Sequence, residues 1–137
     1  MISSYNSAEQ AVATGGLLTF TTNRILTGCT VTHAEGTTSF QLNKPGYYYV
    51  SFNGIAAPTT AAGNVTVQLL SNTVAVPGAI ATFSSTATTD LGNLSFATII
   101  KVLPSCCAID NTTTLTLANS GVDSTYTNVN INITKLC

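Results

Sequence analysis

Charge is what this sequence has least of. Asp, Glu, Lys and Arg make up 7% of its 137 residues, against roughly 25% in an ordinary soluble domain. The cations Arg24, Lys44, Lys101 and Lys135 are scattered along the chain, and the net charge is −1. Nucleic-acid binding takes clustered Lys and Arg to neutralise phosphates, so no nucleic-acid partner is expected. The longest apolar stretches are broken by Thr, Ser and Gly and fall short of the roughly 18 residues of a spanning helix, so no membrane partner is expected either. The start, Met1-Ile2-Ser3-Ser4-Tyr5-Asn6, has no cationic segment followed by an apolar run and hence no signal-peptide pattern. The expectation is a chain made in the cytoplasm and kept there until lysis or assembly, or delivered by another route.

Groups that carry chemistry are also scarce. There is one His, His33, and four Cys: Cys29, the adjacent Cys106 and Cys107, and Cys137. None forms C-x-x-C, and a tetrahedral zinc site would need nearly all of them to converge from unpatterned spacings. They read as thiols, mostly buried as small hydrophobes. A Cys29–Cys137 disulfide stays open, since four cysteines allow three pairings. No cation lies close enough in sequence to Cys106-Cys107 to suggest a reactive thiolate. His33-Ala34-Glu35 lies in a loop-like stretch without a G-x-S-x-G elbow, so His33 reads as a solvated surface residue. Glu9, Glu35, Asp90, Asp110 and Asp123 form no calcium loop or local carboxylate pair. The expectation is a protein that is not an enzyme and holds no cofactor or metal.

What is abundant is Thr, Ser, Asn and β-branched or aromatic residues, which suit a pleated surface, while the helix-solvating Glu, Lys and Arg are nearly absent. Short alternating segments recur about every ten residues between turn signals. They include Leu17–Thr22, Thr37–Leu42, Asn64–Leu70, Val74–Phe83, Leu94–Val102, Thr112–Leu117 and Tyr126–Ile133. The most regular is Tyr47-Tyr48-Tyr49-Val50-Ser51-Phe52-Asn53-Gly54-Ile55-Ala56, which follows an Asn43-Lys44-Pro45-Gly46 turn. Its period of two points Tyr48, Val50 and Phe52 inward and Tyr47, Tyr49, Ser51 and Asn53 outward. Eight to ten antiparallel strands without a helical period predict one all-β, two-sheet jelly-roll sandwich. The expected core is Tyr48, Val50, Phe52, Val65, Val67, Leu69, Phe96, Ile99 and Ile131.

Four N-x-S/T sequons, at Asn64, Asn93, Asn111 and Asn132, are about what this composition yields by chance. Two of them, Asn64 and Asn132, fall within predicted strands. Asp123 to Tyr126, an aromatic beside polar loop residues, is a candidate sugar contact.

Gly46-Tyr47-Tyr48-Tyr49-Val50-Ser51-Phe52 resembles the G-x-Y-x-[VF] strand of C1q/TNF-like trimeric jelly rolls. The stretch from Asn64 through Val74-Ala75-Val76-Pro77-Gly78 resembles the BclA-type exosporium C-terminal domain. The resemblance covers most of the chain as pattern and about forty residues as motif. It implies a homotrimer packed about a threefold axis, with Tyr47 and Tyr49 as candidate trimer contacts. No collagen-like Gly-X-Y stalk precedes the strands, and a stand-alone trimeric jelly roll resembles the capsid decoration or head-fibre proteins of tailed bacteriophages. The expected setting is therefore a virion surface, with the major capsid protein or another virion component as partner. A host-surface glycan ligand, or a BclA-like place on a spore surface, is the alternative. Residues 17–137 are expected to form the jelly roll. Residues 1–16, polar and without a strand period, are expected to be mobile when free and to dock on the carrier through Ile2 and Tyr5.

Overall fold

In the computed structural model, which describes residues 1–104 and 112–136, the alternating Tyr47 segment becomes the longest strand, β6 (Gly46–Pro58). Tyr48, Val50, Phe52 and Ala56 point inward and are buried, while Tyr47, Tyr49 and Ile55 stay exposed. Strand β6 is flanked by β11 (Ser124–Lys135) and β9 (Gly92–Val102). Beyond β11 come β1 (Ile2–Asn6) and β3 (Thr22–Leu26), giving the order β3-β1-β11-β6-β9, and short β2 (Gln10–Val12) pairs with the start of β11. The second sheet runs β4 (Val31–Thr32), β5 (Phe40–Leu42), β10 (Thr113–Asn119), β7 (Asn64–Ser71), β8 (Val74–Ser84). The two sheets enclose a core that includes Ile2, Phe20, Phe40, Leu42, Tyr48, Val65, Val67, Leu69, Leu115, Ile131 and Ile133. The fold is an all-β, two-sheet antiparallel jelly roll, with eleven strands among the described residues. That is one more than the eight to ten expected; β2, at three residues, is too short to show a period.

Two local features set the shape. At the β7–β8 turn Asn72 and Thr73 both have positive φ, 49° and 69°, the signature of a two-residue type I′ hairpin. In β11 the register against β6 slips between Thr127 and Asn130, and Asn128 takes φ 52°, marking a β-bulge. Opposite that bulge stands Gly54, where a Cβ would come within 2.9 Å of Val129 and 3.2 Å of Phe52.

Several expectations are corrected. Residues 1–16 carry β1 and β2, and β1 lies inside the sheet, paired on both sides with β3 and β11. Ile2 is fully buried. Its strand escaped the apolar period because the other inward positions, Ser4 and Asn6, are polar. They are satisfied by donating to the carbonyls of Thr22 (3.0 Å) and Thr19 (3.2 Å). Ile99, expected inside, is 58% exposed. Phe96 and Ile99 differ in parity, and the Phe52–Phe96 register places the even-numbered positions of β9 inward. Phe96 is itself partly buried, its ring 5.6 Å from that of Phe52. Cys29 is exposed rather than buried. Cys106, Cys107, Cys137 and Asn111 lie outside the described residues.

Candidate functional site

The outward face of the β3-β1-β11-β6-β9 sheet is the most distinctive surface. None of its five strands contains Asp or Glu. At one end, across β6 and β9, Tyr47 (47% exposed), Tyr49 (41%) and Ile99 (58%) form an apolar patch. Leu136 adjoins it, since its N–H donates to the Tyr47 carbonyl at 2.8 Å. The middle of the face is a shallow depression of about 360 Å³ lined by Ser51, Asn53, Ser95, Ala97, Asn130 and Asn132. One carboxamide oxygen there, Asn130 Oδ1, is covered and has no hydrogen-bond partner.

Of the residues expected to act, Tyr47 and Tyr49 stand on this face and are available to a partner. Tyr5 reaches it half-buried, with the Arg24 guanidinium 4.8 Å above its ring. Ile2 is in the core and is not an exposed docking anchor. The sequence reading missed Ile99, hidden by its place next to Ile100. It also missed the Asn53, Asn130 and Asn132 carboxamides, which only the β6–β11 register brings together.

His33 is buried rather than solvated. Its ring stacks on Phe40 at 4.1 Å and 13°. Nδ1 lies 2.9 Å from the Ser39 carbonyl and Nε2 3.1 Å from the Phe20 carbonyl. Both nitrogens thus face backbone carbonyls in a buried setting, and a general base needs one facing its substrate. This arrangement pins the β4–β5 loop to the chain before β3. Tyr126, named as a sugar contact, is fully buried. Its hydroxyl donates to Asn119 Oδ1 at 3.0 Å, and burial pushes the phenol above its ordinary range. Asp123 Oδ1 accepts from the Thr14 N–H at 2.8 Å and hydroxyl at 3.1 Å, so it fastens a turn.

No protein-family model matches the chain, and no curated protein matches it in sequence. Among solved structures it is similar to PRD1 vertex protein P5, with a TM-score of 0.57 and 17% identity over 99% of this chain and 72% of that one. It is also similar to murine APRIL. The crystal structure at pH 5.0 gives a TM-score of 0.66 and 8% identity; that at pH 8.5 gives 0.58 and 10%. Each covers 98% of both chains. The chain has a TNF-like jelly-roll fold. At these identities the likeness is one of fold, and it agrees with the C1q/TNF-like pattern carried by Gly46–Phe52.

Proposed function

We propose that this protein is a non-enzymatic structural component of a bacteriophage virion surface. In this reading it forms a homotrimer through the outward face of the β3-β1-β11-β6-β9 sheet and decorates the capsid or forms a head fibre on the major capsid protein or another virion component. The observation that carries the reading is that face itself, whose strands contain no Asp or Glu and on which Tyr47, Tyr49 and Ile99 are exposed side by side. Contiguous apolar surface of this kind marks interaction sites on soluble domains, and tyrosine suits such contacts because it joins a large apolar body to a hydroxyl. The resemblance to trimeric jelly rolls supports the threefold arrangement, and the fold shared with a vertex protein supports the virion setting. Sedimentation equilibrium at micromolar concentration tests the assembly; a monomer alone rejects it. Co-sedimentation with capsids tests the setting.

A second reading has one observation in its favour. The Asn-lined depression and its unpartnered Asn130 Oδ1 offer donors and acceptors that suit a neutral sugar on a host-surface glycan. A trimer contact that covered the depression would exclude this ligand, so a glycan array read together with the oligomeric state separates the two.

A further inference from the structure

Lysines that are scattered in sequence meet in the fold. Lys101 is the cross-strand partner of Tyr47, with its Nζ 5.7 Å from the ring centre. Lys135 is the partner of Tyr48. The Tyr48 hydroxyl donates to the carbonyl of Lys44 at 2.6 Å, fixing the turn that carries this third lysine. All three therefore gather where β6 begins, at one end of the sandwich.

The carboxylates gather where β6 ends. Asp123 accepts the Thr59 N–H on its carbonyl at 2.9 Å. Glu9 lines a cleft with Pro58, Thr59 and Leu91. Asp90 stands two residues before Gly92, the partner of Ala56. Its carboxylate is held by the Thr86 and Ala87 N–H groups, which keep it below its ordinary pKa and hence charged. Only Arg24 and Glu35 among the described charged side chains lie between, along β3, where Glu35 accepts from the Asn23 N–H. Each end also shows an apolar side chain: Leu136 (48% exposed) at the basic end and Leu91 (76%) at the acidic end.

Strand β6 spans about 40 Å at roughly 3.3 Å per residue. That is several times the Debye length of about 8 Å at physiological salt, so the two ends do not attract each other within one molecule. Their complementarity is available only between molecules. We propose that a second copy of this chain docks head to tail, its acidic end (Glu9, Asp90, Asp123, Leu91) on the basic end (Lys44, Lys101, Lys135, Leu136). Such a contact joins unlike surfaces, so copies add one after another into a ring or an open stack. Lys101 and Leu136 border the Tyr47–Ile99 patch, but the acidic groups lie at the far end of β6, so the contact goes beyond the trimer reading.

Sedimentation velocity on the whole chain tests it, with salt raised from about 0.01 M to about 1 M so that the Debye length falls from about 30 Å to about 3 Å. The expected result is a larger species at low salt that disappears at high salt. The species left at high salt reports the trimer reading separately. Lys44→Glu should abolish the salt-labile species, and Lys135→Glu serves as a second variant at the same end. Arg24→Glu, with the same change in net charge but lying on β3, should leave it intact. The absence of any salt-labile species overturns the proposal, as does an equal loss from Lys44→Glu and Arg24→Glu.

Discussion

Tyr49 and Ile99 are direct cross-strand partners on the outward face of the first sheet, and both are exposed, by 41% and 58%. Neither supports the core, so a charge at either position leaves folding largely intact and falls directly on any contact made there. Ile99→Glu is expected to convert the assembled species to monomer with an unchanged circular-dichroism spectrum. An assembly that survives this change is made through another surface.

Ile2 gives the opposite expectation, because it is fully buried between its partners Leu26 and Ile133. Ile2→Ala should lower unfolding stability by about 2–5 kcal/mol, as buried Ile truncations do. Urea denaturation measures it, and a change under about 1 kcal/mol would return residues 1–16 to the status of a loose terminus.

Thr73 is a β-branched residue at φ 69°, a conformation that glycine adopts without a steric penalty. Thr73→Gly turns the β7–β8 turn into Asn-Gly, the preferred type I′ pair. A gain of about 0.5–1 kcal/mol is expected; a loss would show that Thr73 makes some compensating contact.

Asp90 predicts a pH dependence. Its folded pKa is lowered, first by the Thr86 N–H and then by the Ala87 N–H and the Thr86 hydroxyl. A lowered carboxylate pKa adds stability that is fully present above the unfolded value of about 3.9 and is lost as pH falls through the folded value. Asp90→Asn should therefore flatten stability against pH only on the acid side. NMR titration of the Asp90 carboxyl should give a midpoint below that of an ordinary aspartate.

The jelly roll was legible because β6 alternates along its length and β11 does so from Asn128 onward, and composition left no competing helix. What escaped has physical reasons. Ser4 and Asn6 face inward, so β1 carries no apolar period, yet backbone carbonyls satisfy both side chains. Adjacent Ile99 and Ile100 cannot be told apart by period alone; only pairing with β6 decides which points in. His33 looks like a loop residue in sequence, and its burial depends on Phe40 and Phe20, which no local pattern connects to it. The outward Tyr47 and Tyr49 were readable because they share a strand. The three lysines were not, because Lys101 and Lys135 are placed by cross-strand register and Lys44 by the Tyr48 hydroxyl on its carbonyl.

The pairing of β1 with β11 sets when this protein can fold. Ile2 lies opposite Ile133, so β1 gains its central neighbour only after the whole chain between the two strands, and β11 itself, has been made. Strand β6 waits for the same partner, since β11 sits between β1 and β6. The central sheet therefore stays unfinished until β11 has been made, and the domain completes its fold only after that point. Such long-range pairing belongs to the slow, millisecond-to-second class of β-sandwich folders, and the unpaired edge of β6 stays open to other chains for all of that time.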